Sequence, residues 1–430
     1  MQIRRKSFLA LGAAGAATAL LAACGGESSP DTAATEPAPA SDGGGEADPS
    51  AAPARADADL VIWADEKKAA SLQEPIAAWA QTQGITAAVQ TISNDPQAAF
   101  VTANQAGNGP DVMLGAHDWI GNLVQNAAIV PVQLPSDAAD KLAPIGMTAV
   151  QFEGQTYGVP YAVETLALFA NNALTAAPEP TSIEELVAAG TEGGAENVLS
   201  LPVGEQGDAY HMQPLYSSGG GYLFGADASG NLDPKDLGVG KEGSIAAGEK
   251  IKALGEQGVL KTSISGDNAI SLFTDGKAAY LVSGPWALAD IAKSGLDVTM
   301  SAVPGFEGME PAKPFAGVNA FYVASSGKNQ GFAQQLLSDV ASSPDIARAM
   351  FASNQLPPVS LDLQTELAAD NPEMVRIAEL AESTDPMPSI PAMSEIWAPL
   401  GQAQANIVGG ADPSEVMTSA GEQIAGKIGA

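Results

Sequence analysis

The stretch LGAHDWIGNL, residues 114–123, sets a histidine, an aspartate and a tryptophan side by side after an apolar run. Three chemistries fit such a trio: a proton-relaying His-Asp pair, a metal site, or the wall of a binding pocket. The inventory of the rest of the chain narrows the choice. The 430 residues contain two histidines, His117 and His211, and a single cysteine, Cys24. A Ser-His-Asp arrangement would have to be built on one of those histidines, and the GxSxG elbow that often carries its nucleophile is absent. Metal sites built on His and Cys are equally hard to assemble, which leaves only all-oxygen coordination. There is no P-loop. Glycoside hydrolysis needs only two carboxylates and survives as an enzyme alternative. With 50 acidic residues, however, some pair of carboxylates will always be close by chance.

Binding chemistry is better supplied. Three of the five tryptophans stand in short polar or Gly/Pro-flanked contexts, AHDWIG, SGPWAL and SEIWAPL, and GDAYHMQPLY adds two tyrosines and the second histidine. Any one of these aromatics can be core. Together with neighbouring carboxylates they form the two kinds of contact a neutral polyhydroxylated ligand requires, flat faces for its C–H surfaces and forked acceptors for its hydroxyls.

The elements that must position these residues read as α/β. DLVIWA (59–64) is a strand, AASLQEPIAAWAQTQG a helix closing on Gly84, and ITAAVQTI and GPDVML (109–114) are further strands. That alternation predicts β-α-β units and a mostly parallel sheet. Strand-like runs recur at TLALFA (165–170), AAYLVSG (278–284) and NAFYVAS (319–325). Thr181 and Glu184 read as a capping box opening SIEELVAAG with Gly190 as its stop. Ser343-Pro344-Asp345 and Asp412-Pro413 open two later helices. No period of 20–50 residues appears, so the chain reads as two α/β lobes and not as a repeat array.

The N-terminus reads as an export signal. Arg4, Arg5 and Lys6 precede an apolar stretch from Phe8 to Leu21, and Leu21-Ala22-Ala23 leads into Cys24. This resembles the lipobox of bacterial lipoproteins, which implies a signal peptide over 1–23, acylation of Cys24 and a lipid anchor at the outer face of the cell membrane. Arg4-Arg5 also leans toward a twin-arginine signal, leaving the export route open. Residues 24–57 are small, polar and Pro-rich, the composition of a flexible tether. The net charge of −31 disfavours nucleic acid as a partner.

In sequence order, LVIWADEKK, GNGPDVMLGAHDWIGNL, YGVPYAVETLAL, YHMQPLYSSGGGYLF, LVSGPWALADI, AKPFAGVNAFYVAS and MPSIPAMSEIWAPL resemble the maltose/maltodextrin-binding proteins of ABC importers. The likeness runs from about residue 59 to the C-terminus. It implies a two-lobe fold of the periplasmic-binding-protein type with a hinge and an interlobe ligand cleft, no catalysis, no cofactor or metal, a monomer, and permease subunits as partners. It implies lobes at 57–162 plus 314–362 and at 163–313 plus 363–430. Carried over by position, Asp118 and Glu164 are expected to accept bonds from sugar hydroxyls. Tyr210, Trp286 and Trp397 are expected as stacking platforms, and Asp208, Met387, Glu66 and Lys67 as further ligand contacts, the last two subject to a slip of one residue. Four departures stand out. Gly115 replaces an aromatic, Trp119 an arginine, His211 a phenylalanine and Gly401 an arginine. The expectation is that Trp119 supplies the aromatic surface lost at Gly115 and that His211 lines the cleft. Another α-glucoside or disaccharide, such as trehalose, is the alternative ligand.

Overall fold

The computed structural model describes residues 53–227 and 230–429. The signal, Cys24 and nearly all of the tether lie outside the described residues. The fold takes hold of the chain by Arg55, inside the stretch expected to be tether. Its guanidinium meets the fully buried Asp111 at 2.6 Å and donates to the Gly109 carbonyl at 2.8 Å.

Two sheets organise the body. In the first, strands Leu60–Ala64, Ala87–Thr91 and Val112–Ala116 are parallel, as the β-α-β pattern predicts. The long strand Phe315–Ala324 then runs antiparallel to Val112–Ala116, to Ile129–Val130 and to Gly158–Glu164, and parallel to the short strand Asp385–Pro386. The second sheet has the order Val298–Ser301, Ala167–Asn171, Ala278–Ser283, Asn197–Ser200, and only its last pair is parallel. The expectation of mostly parallel pairing therefore fails where strands enter from the other half of the molecule. A chain that crosses and turns back must pair antiparallel, whereas a local β-α-β unit pairs parallel.

Helix boundaries follow their caps. The helix Glu66–Gln83 starts on Asp65, whose carboxylate accepts from the Lys68 amide, and ends on Gly84 in the left-handed region at φ 70°. The capping box lies one residue later than the sequence suggests. Ser182 accepts from the Glu185 amide, and Glu185 reaches back to Thr181. That helix also runs through Gly190 to Glu192, because Gly190 is a packing glycine: a Cβ there would lie 2.9 Å from Val198. Asp412 and Pro413 open the last helix as expected.

Each sheet has its own core. Leu60, Ile62, Val112, Val163, Phe321 and Val323 belong to the first, and Leu168, Tyr280, Val282, Ile251 and Met212 to the second. Ala378 and Ala381 pack with the first core. Leu380 of the same helix, Pro372–Ala381, packs with Phe169 and Leu281 of the second sheet, so this helix touches both halves. The chain goes from a strand of the first sheet to one of the second at Glu164–Ala167, returns between Ser301 and Phe315, and joins the second core again after the short strand Asp385–Pro386; these are the three crossings.

Candidate functional site

Five of the residues singled out by sequence meet at one cavity of about 330 Å³, lined by Ala116, His117, Glu164, Tyr210, His211, Trp286, Gly317, Val318, Asn319 and Met387. The first half of the molecule contributes the end of strand Val112–Ala116, the second contributes the helix Ala209–Ser218 and the turn Pro285–Ala287, and crossing segments contribute Glu164, Gly317 and Met387.

Glu164 is the last residue of its strand and is paired with Gly317. A Cβ at Gly317 would lie 3.1 Å from the Glu164 Cγ, so the glycine makes room for the carboxylate stem. Burial raises the Glu164 pKa, and the ammonium of Lys68 partly offsets that. Lys68 Nζ lies 2.7 Å from Asp65 and donates to the Asn319 Oδ1 at 3.2 Å. Glu66 and Lys67 are exposed. Lys67 lines a separate groove of about 780 Å³ that shares Trp286 with the cavity, and Asp65 and Lys68 line that groove too. The cation that acts on Glu164 is thus Lys68, the one-residue slip allowed for Lys67, and Asn319 joins it in the cavity wall without having been foreseen. The signal was present: an N-cap at Asp65 fixes the helix register and places Lys68 on the capping side.

The aromatic side is a connected cluster. Tyr210 contacts His211, Trp286 and Phe315, with ring centroids 5.4, 6.4 and 6.1 Å apart, and Phe315 meets Trp397 at 6.0 Å. Trp286 is 42 % exposed, high for an indole, and its ring lies over Gly284, where a Cβ would come within 2.2 Å of it. Trp397 joins this cluster through Phe315, a residue not foreseen as part of the site.

Asp208 caps the helix Ala209–Ser218 by accepting from the His211 amide at 3.0 Å, and it also holds the His211 Nδ1 at 2.7 Å. Burial pushes the Asp208 carboxyl up, but the bonds from His211 outweigh it and hold the pKa below its ordinary value. The loop just before Asp208 is fixed by backbone contact. Gly207 has φ 84°, and a Cβ on it would lie 1.8 Å from the Gly401 carbonyl oxygen. The close approach thus requires glycine at 207, while at 401, where an arginine was noted as missing, a Cβ would sit tightly at 3.2 Å from the Gly207 carbonyl carbon.

Asp118 and Trp119 sit on the turn His117–Trp119, next to the cavity wall but not among its lining residues. The Trp119 ring covers Gly115, where a Cβ would meet it at 2.5 Å, so it occupies the space a side chain at 115 would fill. Burial raises the Asp118 pKa to about 6, and among the described residues no partner bonds its Oδ1. A buried carboxylate oxygen without a partner is costly, and a ligand hydroxyl is the kind of group that would satisfy it.

A carboxylate in the cavity with a second beside it, a connected set of aromatic rings and a cleft lined from both halves of the molecule fit a class: proteins that hold a small polar ligand between two lobes. The comparisons place the chain within that class. It belongs to the bacterial extracellular solute-binding protein family, which it matches over residues 75–376. A galactooligosaccharide-binding protein of Bacillus subtilis is 28 % identical over 381 residues, 86 % of this chain and 89 % of that one. A maltooligosaccharide ABC transporter solute-binding lipoprotein of Streptococcus pneumoniae is 24 % identical over 405 residues, covering 92 % and 90 %. The structure of an extracellular solute-binding protein from Staphylococcus aureus in complex with maltose superposes with a TM-score of 0.76 at 25 % identity, covering 86 % of this chain and 97 % of that one.

Proposed function

We propose that this protein binds malto-oligosaccharides between its lobes and delivers them to the permease subunits of an ABC importer. The observation that carries the reading is Glu164 set across one cavity from Tyr210, His211 and Trp286. A carboxylate accepts from vicinal hydroxyls while indole and phenol faces pack on the C–H face of a sugar ring, and neither contact alone would select a carbohydrate. Glu164, Tyr210, Trp286 and Met387 would touch the sugar directly. Asp118 would accept a hydroxyl at the flank, and Trp397 would extend the aromatic surface. Asp208 would orient His211. Lys68 and Asn319 take the place of the expected Glu66 and Lys67. The protein would bind and release its ligand unchanged, as a monomer, from the outer face of the membrane to which acylated Cys24 tethers it. The division of the lobes that suits this reading places the third crossing at Asp385–Ile390.

Calorimetry tests the ligand class. Maltose, maltotriose, maltotetraose, trehalose, sucrose and a galacto-oligosaccharide are each titrated, with product analysis after the run. Saturable binding of the malto-series without turnover is the expected result. Preference for the galacto-oligosaccharide would move the ligand to the class named for the Bacillus subtilis relative, and turnover of any sugar would replace the transport reading with a hydrolase.

A further inference from the structure

The turn that carries Asp118 and Trp119 is fastened at two points to the crossing segment that carries Met387. The antiparallel ladder between Val112–Ala116 and Phe315–Ala324 ends at the pair Ala116–Asn319. Beyond it the His117 ring takes over, because the backbone turns away into a single helical turn. His117 Nδ1 lies 3.1 Å from the Val318 amide nitrogen and 3.3 Å from the Val318 carbonyl oxygen. The amide can only donate, so Nδ1 accepts, and the ring proton sits on Nε2, which donates to the Met387 carbonyl at 2.9 Å. Four residues on, the Gly121 amide donates to the Ser389 carbonyl at 2.9 Å. A Cβ at 121 would lie 2.2 Å from that oxygen and 2.9 Å from Pro391 Cδ, so only glycine permits the contact.

The gripped segment has a position of its own in the site. Met387 lines the cavity and its amide donates to the Ala316 carbonyl at 3.2 Å, tying it to a second crossing. Downstream, the turn Pro391–Glu395 leads directly to Trp397. Between the two fastenings stand Asp118, with its unpaired oxygen, and Trp119 over Gly115.

We infer that His117 and Gly121 are positioning residues for the ligand cavity: they clamp the His117–Trp119 turn to the crossing segment Met387–Pro391, so that turn and segment move as one body when the lobes open and close. Ligand affinity then depends on two residues through the backbone they hold, and bending is confined to the remaining crossings. The inference rests on the sugar-binding reading for its effect on affinity, but not for its effect on the ligand-free protein.

Four variants of the full chain test it. His117→Phe keeps an aromatic ring but removes both bonds, and His117→Gln restores an acceptor and a donor on one amide. Gly121→Ala forces the collision with Ser389, and Ile251→Val, in the second core, serves as a stability control. Maltotriose affinity is measured by calorimetry, and lobe opening by X-ray scattering with and without sugar. The clamp predicts at least about a tenfold loss of affinity in His117→Phe and Gly121→Ala, recovery to within about threefold in His117→Gln, and a changed ligand-free scattering profile only in the first two. If His117→Phe does not fold, His117→Gln and Gly121→Ala carry the test. Folded His117→Phe or Gly121→Ala with parental affinity and parental scattering would overturn the clamp, as would equal losses in Ile251→Val. A parent that binds no sugar, combined with altered ligand-free scattering in His117→Phe, would overturn the ligand and uphold the clamp.

Discussion

Two neighbouring side chains, His117 and Asp118, respond to acid in opposite directions. Burial lowers the His117 pKa from 6.5 to about 4, so its contribution is full above pH 6.5 and is lost as the pH falls toward 4. Burial raises the Asp118 pKa from 3.8 to about 6, so the folded protein holds that proton where the unfolded chain has released it. Its stability cost is absent below pH 4 and complete above pH 6. Asp118→Asn is therefore expected to raise stability at pH 8 by about 1–3 kcal/mol in denaturant titrations, with the gain gone by pH 4. The same substitution should weaken sugar binding at pH 8, while the parent should lose affinity as the pH falls below 6 and Asp118 becomes protonated. Trp286 provides the aromatic counterpart. A stacking ring contributes about 0.5–1.5 kcal/mol beyond its area burial, so Trp286→Ala should weaken maltotriose binding about tenfold. Because the residue is 42 % exposed, its melting temperature should stay close to that of the parent.

Local signals made the elements that hold the site legible in the sequence, and long-range contacts hid the rest. Asp65, Gly84, Asp412 and Pro413 mark helix ends through bonds made within one turn, and such bonds leave their residue types in the sequence. Gly190 misled because a packing glycine and a helix stop share the same letter, and only the neighbour Val198 tells them apart. Antiparallel pairing of Phe315–Ala324 was invisible because its partners lie some 150–200 positions away. In the candidate site, Glu164, Tyr210 and Trp286 were readable from motif context, whereas Lys68 depended on the exact helix register and Phe315 on contacts with Tyr210 and Trp397 that are distant in sequence. The Gly207–Gly401 approach is the sharpest case, since two glycines 194 positions apart become intelligible only together. Gly207→Ala adds a side chain at φ 84° and directly against the Gly401 carbonyl. It is expected to lower the melting temperature by several degrees and, by displacing the cap Asp208, to weaken sugar binding in calorimetry.

For the whole molecule, a solute-binding protein of two lobes has its candidate site lined from both of them. Ligand can close the lobes only by binding the closed form more tightly than the open one, which a sugar touching both halves at once would do. Maltotriose should therefore reduce the radius of gyration in X-ray scattering, and Glu164→Gln should blunt the change at equal sugar concentration. Among the described residues no helix is long and apolar enough to cross a membrane. Cys24→Ala should release the protein from the membrane fraction, and full retention would contradict the anchor. The most direct test of the central claim is a crystal structure of the protein with maltotriose. The account predicts a glucose ring against Trp286 and Tyr210 with its hydroxyls on Glu164. A sugar bound elsewhere, or none at saturating concentration, would contradict it.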